Sequence, residues 1–114
     1  MAEQTDNTDI RHTIDKLYDV ILSRKKESVK DSYTAQLFAE APAKPARKLC
    51  EEATEVLIEA LNDDKAKLAA ESADLLYYLL VVWAAADLKP LDVWQELDSR
   101  QDISGLVEKQ NRLA

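Results

Sequence analysis

Residues 48–55 read KLCEEATE, and residues 71–78 read ESADLLYY, with a polar NDD turn between them at residues 62–64. On both sides of the turn, apolar residues recur at steps of three and four, which is the spacing of one face of an α-helix. Asn and Asp are favoured where a chain reverses. The sequence therefore predicts two antiparallel helices, over residues 44–62 and 65–87, as the centre of the fold.

Two further helices are predicted before this hairpin. Apolar residues at helical spacing predict one over residues 9–26, and either Asp31 or Ser32 could cap a second, short one that ends near residue 40. Three side chains of the short helix are expected in the core: Tyr33, Leu37 and Phe38.

Pro90 is expected to begin a helix after the hairpin, because proline is tolerated in the first helical turn. The side chains expected to face inward from it are Leu91, Trp94 and Leu97. A short final helix is expected over residues 106–112. The predicted organisation is a polar leader at residues 1–8 followed by a single all-α domain over residues 9–114.

Composition narrows the classes of function. The chain has 114 residues with one glycine, three prolines and a net charge of −7, which suits helices and disfavours binding to nucleic acid or an anionic membrane. A single cysteine excludes an intrachain disulfide and is compatible with the cytoplasm. The longest apolar run, residues 75–86, is shorter than the roughly 20 residues of a membrane span. A helix that is apolar on all sides must be covered on all sides, which indicates a homodimer.

Acidic residues form the most informative pattern. Glu52 and Glu55 lie three apart on one predicted helix, and Glu71 and Asp74 lie three apart on the next, so each pair shares a helix face. Because the two pairs lie at similar distances from the turn, four or five carboxylates would meet between the helices, with Glu51 the fifth. A divalent cation such as Mg²⁺ would relieve their repulsion. Paired glutamates also mark ordinary solvated helix faces, and the spacing alone leaves both interpretations open.

The pattern E51-E52-x-x-E55 with E71-x-x-D74 resembles the signature of the all-α nucleoside triphosphate pyrophosphohydrolases, the MazG-like superfamily. Within that superfamily, SYTAQL at residues 32–37, ADLLYYLL at residues 73–80 and SGL with EK at residues 104–109 are similar to the phosphoribosyl-ATP pyrophosphohydrolase family. The chain departs from the usual family pattern at three positions: Ala41 and Cys50 in place of Gly, and Tyr78 in place of His.

This resemblance implies a MazG-like helical bundle completed by dimerisation. It also implies hydrolysis of phosphoribosyl-ATP to phosphoribosyl-AMP and pyrophosphate, the second step of histidine biosynthesis, with Mg²⁺ as the cofactor and Mn²⁺ as the alternative ion. The metal ligands that it implies are Glu52, Glu55, Glu71 and Asp74. The catalytic carboxylates would be Glu51, Glu52 and Glu55, with Glu51 holding a second ion, orienting water or simply exposed.

Cationic and hydroxyl side chains near the acids are candidates for binding the substrate's phosphates. Lys44, Arg47 and Lys48 directly precede the acidic motif, and Arg24, Ser32 and Thr34 are second candidates. Each basic side chain could equally be an ordinary solvated residue. Two other functions stay open from the sequence: a house-cleaning nucleoside triphosphate pyrophosphohydrolase of the same superfamily, and a non-catalytic helical dimerisation or adaptor domain.

Overall fold

The computed structural model describes residues 13–101 and Arg112, and within this part the chain is helical with no strand. Five helices follow one another: α1 (Thr13–Arg24), α2 (Tyr33–Ala39), α3 (Ala43–Leu61), α4 (Lys65–Ala85) and α5 (Pro90–Arg100). The all-α fold class is confirmed. The predicted leader, the first residues of the first predicted helix and most of the final one lie outside the described residues.

The α3–α4 hairpin is the largest packing unit and matches its prediction to within two residues at each end. Asp63 adopts a left-handed conformation with φ of 56°, which Asp tolerates better than most residues and which reverses the chain. Asp64 then caps α4, its side chain accepting a hydrogen bond from the Lys67 N–H at 3.0 Å. These local preferences set α3 and α4 antiparallel.

The buried core lies toward the C-terminal end of α4, where α1 and α2 pack against it. Its buried members are Tyr18, Ile21, Leu37, Leu80, Val81 and Ala84. The Tyr18 hydroxyl donates to the Leu88 carbonyl at 2.8 Å, which ties α1 to the segment after α4. The N-terminal half of α4 has no buried residue. In the part of the chain that the structure describes, apolar burial is therefore concentrated toward the C-terminal end of α4.

The short helix α2 confirms one of the two predicted caps and corrects the predicted core. Ser32 caps it, its hydroxyl accepting from the Ala35 N–H at 3.1 Å. Leu37 is fully buried and Phe38 packs against the core. Tyr33 was expected inside, but 44% of it is exposed. As the first residue of α2, it lies at the edge of the core, where its ring meets that of Tyr78 of α4 edge-to-face.

The inward orientation predicted for the apolar residues of α5 is wrong for the single chain. Leu91, Trp94 and Leu97 are exposed by 58%, 36% and 51%. Helix α5 packs mainly on α1, and Trp94 meets Trp83 of α4 edge-to-face at 6.0 Å between ring centroids. Helical spacing identified the apolar face, but the described part of the chain covers it only around Trp94 and leaves Leu91 and Leu97 exposed.

Helix α4 is long and apolar enough to cross a membrane by length and composition alone, with 21 residues and a mean hydropathy of 1.4 over the most apolar stretch. The apolar run at residues 75–86 is too short to span a membrane, but the whole helix α4 is long enough. The central helix of a water-soluble bundle passes the same test. Leu80, Val81 and Ala84 place α4 at the centre of the core, and Glu71 and Asp74 lie along it.

Candidate active site

Three carboxylates from two helices meet in the middle of the α3–α4 hairpin. Glu52 comes from α3, Glu71 and Asp74 come from α4, and one oxygen atom of each lies within 4.8 Å of the others. Glu71 and Asp74 share a helix face because they are three residues apart. Glu52 and Asp74 are each eleven residues from the turn residue Asp63, so the antiparallel hairpin brings them to the same level.

The electrostatics of this cluster favour a positive ligand. Burial raises the pKa of the Glu71 carboxyl, and a hydrogen bond with Glu52 and the charges of Glu52, Asp74 and Glu59 raise it further. The Oε2 atom of Glu52 is buried and has no hydrogen-bond partner among the described residues. An unsatisfied buried oxygen is costly, and a hard divalent cation would satisfy it while removing the repulsion. The three side chains therefore fit a divalent metal ion.

Two tyrosines and a lysine lie next to the carboxylates, and we call Tyr33, Tyr78 and Lys48 the aromatic corner. The Tyr33 and Tyr78 hydroxyls are hydrogen-bonded at 2.9 Å, and the rings meet edge-to-face at 6.4 Å. The Lys48 ammonium lies 5.8 Å from the centre of the Tyr78 ring. Burial and the Tyr33 hydrogen bond raise the pKa of Tyr78, and the charge of Glu52 adds to the shift, which places the corner beside that carboxylate.

A second hydroxyl pair joins the same two helices deeper in the molecule. Thr34 of α2 and Tyr77 of α4 are hydrogen-bonded at 2.6 Å in a partly buried position. Burial raises the pKa of Tyr77. Since the Ser32 hydroxyl caps α2, the hydroxyls of both predicted phosphate contacts on this segment already have partners within the chain.

Comparison with known proteins decides the family. The sequence model described as "Phosphoribosyl-ATP pyrophosphohydrolase" matches residues 14–101, which include all five helices apart from the first residue of α1. The chain belongs to the phosphoribosyl-ATP pyrophosphohydrolase family. The resemblance inferred from the sequence motifs is thereby confirmed, and with it the assignment to a family of hydrolases.

Individual members of the phosphoribosyl-ATP pyrophosphohydrolase family are similar over most of their length. A protein of Azospirillum brasilense named phosphoribosyl-ATP pyrophosphatase is 50% identical over 99 residues, covering 87% of this chain and 89% of the relative. Proteins of the same name from Roseobacter denitrificans and Paramagnetospirillum magneticum are each 48% identical, over 88% and 87% of this chain and 95% and 91% of their own. The similarity therefore extends across the hairpin that contains the site.

The other carboxylates implied by the family resemblance lie outside the three-residue cluster. Glu55 is exposed, one turn along α3 from Glu52. Glu51 is also exposed, and its Oε1 atom lies 3.7 Å from the Lys48 ammonium. Glu59, which the sequence reasoning did not select, raises the pKa of Glu71 through its charge. Its position seven residues after Glu52, two turns along the same face, was the signal that could have identified it.

The predicted phosphate-binding cations are in different surroundings. Lys48 lies in the aromatic corner, and Arg47 is exposed on the same turn of α3. Lys44 is ion-paired with Glu40 at 3.0 Å, and Arg24 with Glu27 at 3.0 Å. Such exposed pairs are weak and exchange readily with solvent or another anion. Lys48 is therefore the predicted cation that the structure places beside the carboxylates.

One groove in the described part of the chain lies away from this site. It has a volume of about 470 Å³ and lies beside Phe38, Val82 and Ala85, near the C-terminal end of α4. Val82 is eleven residues beyond Glu71, or about 16 Å along a helix. The groove is mainly apolar and its lining includes no carboxylate, so it lacks the chemistry of the hairpin cluster.

Proposed function

We propose that this chain hydrolyses phosphoribosyl-ATP to phosphoribosyl-AMP and pyrophosphate, as a cytoplasmic enzyme of bacterial histidine biosynthesis. The observation that carries the proposal is the meeting of Glu52, Glu71 and Asp74 in a chain whose relatives are named phosphoribosyl-ATP pyrophosphatase. An acidic cluster that lowers its own electrostatic cost by binding a cation is suited to phosphate chemistry.

The proposed cofactor is Mg²⁺, with Mn²⁺ as a substitute. Glu52, Glu71 and Asp74 would hold it, and Glu55, one turn from Glu52 and exposed, is the proposed fourth ligand. When bound, such an ion neutralises phosphate oxygens and lowers the pKa of a water molecule. The ligand set consists of oxygens alone, as Mg²⁺ and Mn²⁺ prefer.

The chain's own groups position the substrate in this proposal. Lys48 binds a phosphate beside the carboxylates, while Arg47 and Lys44 on the same stretch bind phosphates further out. Ser32 and Thr34 remain weaker candidates, because their hydroxyls already have partners within the chain. Arg24 is weaker because it lies at the end of α1, outside the hairpin. A carboxylate outside the cluster, Glu51 or Glu55, would orient the attacking water. Fixed charges and dipoles at the developing negative charge supply most of the acceleration in such reactions.

We also propose that two copies of the chain assemble through the α3–α4 hairpin. Helix α3 has Pro45 as its one buried residue, although it carries a full apolar face. Three leucines of the hairpin are exposed: Leu57 by 57%, Leu61 by 78% and Leu76 by 41%. Clusters of exposed apolar side chains usually mark an interface in a soluble protein. A second copy offers the same surface in return, as in a two-fold symmetric dimer.

The proposal is tested by measuring pyrophosphate release from phosphoribosyl-ATP with and without Mg²⁺, with ATP and dITP as comparison substrates. Metal-dependent release from phosphoribosyl-ATP, with much slower turnover of the others, is the expected result. Efficient hydrolysis of ATP or dITP would instead indicate a house-cleaning enzyme. No hydrolysis of any of the three would indicate a non-catalytic helical domain.

Variants of the carboxylates sharpen this test. Glu52→Gln and Asp74→Asn are expected to lower kcat at least roughly 100-fold, because each removes a charge aimed at the metal. Glu96→Gln is the matched control, since Glu96 is an exposed acid on α5 paired with Arg100. Full activity in both site variants would remove the cluster from the mechanism.

A further inference from the structure

Resting on the function proposed above, we infer that Tyr33 binds a phosphate oxygen of the substrate through its hydroxyl, and that Tyr78 is the positioning residue that holds this hydroxyl in place. The two phenols form a short relay in which Tyr78 donates to the Tyr33 oxygen and Tyr33 donates to the phosphate. The aromatic corner is thus a substrate-binding element beside the carboxylate cluster.

Counting donors supports the relay. Two phenol groups carry two O–H hydrogens, and the 2.9 Å bond between them uses one. Among the described residues, neither hydroxyl makes another hydrogen bond, so one O–H remains to donate outward. Tyr33 is the more exposed of the two, at 44%, and is therefore the one that can reach a ligand. A donor that already accepts a hydrogen bond is polarised and donates more strongly.

The contrast with the deeper hydroxyl pair argues against a purely structural role. Thr34 and Tyr77 already link α2 to α4 through a partly buried bond of 2.6 Å. The Tyr33–Tyr78 pair links the same helices again at the surface, where a hydrogen bond contributes little to stability because water competes for it. The outer pair lies beside Glu52 and under the Lys48 ammonium. This position suits binding of a ligand and is not needed to stabilise the fold.

Charge balance explains why neutral donors are useful here. A polyphosphate that approaches Glu52, Glu71 and Asp74 meets like charge on every side not covered by a metal ion. The Lys48 ammonium and the Tyr33 O–H offer positive ends at the margin of the cluster. Burial and its neighbours raise the pKa of Tyr78, so the Tyr78 hydroxyl keeps its proton at physiological pH.

The test compares Tyr33→Phe and Tyr78→Phe with Tyr18→Phe as the matched control. All three remove one phenol hydroxyl, but the Tyr18 hydroxyl donates to the Leu88 carbonyl at 2.8 Å in a partly buried position away from the carboxylates. The readouts are the KM for phosphoribosyl-ATP, the Kd of inorganic pyrophosphate with Mg²⁺ by calorimetry, the Kd of Mn²⁺ alone by electron paramagnetic resonance, and Tm.

For Tyr33→Phe we expect KM and the pyrophosphate Kd to rise roughly ten-fold, the loss of one hydrogen bond to a charged acceptor, with the Mn²⁺ Kd unchanged. Tyr78→Phe should raise both about three-fold, because the donor remains but is no longer held. Tyr78→His, which keeps an N–H donor, should recover part of that loss. Tyr18→Phe should lower Tm and leave KM and both dissociation constants unchanged.

Two results would overturn the inference while leaving the proposed function intact. The first is an unchanged pyrophosphate Kd in Tyr33→Phe when the parent protein hydrolyses phosphoribosyl-ATP with Mg²⁺. The second is a weakening of Mn²⁺ binding equal to that of pyrophosphate, which would show that the tyrosines support the metal ligands instead. A parent protein that neither hydrolyses phosphoribosyl-ATP nor binds pyrophosphate would contradict the proposed function and the inference together.

Discussion

At the scale of single residues, the site depends on carboxylates that the fold holds close together against their mutual repulsion. The pKa of Glu71 is raised by burial first and by its acidic neighbours Glu52 and Asp74 second. A proton on Glu71 and a metal ion at the cluster are alternative ways of relieving the same repulsion. The metal-free protein should therefore respond to pH at this point.

We expect the metal-free protein to lose stability as pH rises through the raised pKa of Glu71. Below the ordinary value of 4.5, both the folded and unfolded states carry the proton, and this contribution is fully present. Above it, the folded state holds the proton longer, so stability falls with increasing pH. The measurement is Tm as a function of pH in the presence of a chelator. Glu71→Gln should remove this contribution to the fall of Tm with pH, and Glu96→Gln should not. Equal slopes for the parent and Glu71→Gln would contradict the argument.

Residue spacing predicted part of the site and missed the rest for a physical reason. Glu71 and Asp74 share a face of one helix, and the hairpin fixes the level of Glu52, so their approach follows from local rules. Tyr33 belongs to another helix, and only tertiary packing brings its hydroxyl to Tyr78. The buried Oε2 of Glu52 likewise depends on how two helices pack, which periodicity does not specify.

At the scale of elements, the hairpin that carries the acids is held by its turn. Asp64 caps α4 by accepting from the Lys67 N–H. Asp64→Ala should cost about 1 kcal/mol, or roughly 4–6 °C in Tm, because an orphan N–H loses its acceptor. Asp64→Asn keeps an acceptor oxygen without the charge and should retain most of the stability. A loss as large in Asp64→Asn as in Asp64→Ala would assign the effect to charge and not to the cap.

Element boundaries were predictable because caps and turn residues are local signals, whereas the direction that a helix faces was not. Pro90 begins α5 as expected, yet its apolar residues Leu91 and Leu97 are exposed. Hydrophobic periodicity predicts that the apolar face of a helix will be buried, but it does not identify the element or partner that buries it. The mistaken inward orientation of α5 and the exposed leucines of α3 have this same origin.

At the scale of the whole molecule, the buried core lies toward the C-terminal end of α4, and the carboxylates lie on the half of α4 that precedes it. The buried cluster around Leu80 and Val81 stabilises the C-terminal half of α4, while the half with Glu71 has no buried residue in the single chain. Assembly through the hairpin would bury the apolar face of that half. Folding stability would then depend on protein concentration, as it does for any protein stabilised by association.

The proposed dimer is tested by Leu57→Lys, with Val20→Lys as control. Leu57 is 57% exposed on α3, and Val20 is 48% exposed on α1, outside the hairpin. In a monomer both changes would be nearly neutral, within about 0.5 kcal/mol. If the hairpin is the interface, Leu57→Lys should shift the mass measured by light scattering from dimer to monomer and lower Tm, and Val20→Lys should not. A monomeric parent protein would reject the interface.

The chain's one cysteine, Cys50, is exposed on α3 two residues before Glu52. Thiol chemistry can therefore attach a spin label or fluorophore next to the carboxylates without any engineered substitution. In a symmetric pair of chains every assembly would carry two labels at equivalent positions, and dipolar spectroscopy would report a single separation between the two sites. Cys50, which departs from the family pattern, thus offers a natural labelling position for measuring the distance between the two sites of the proposed dimer.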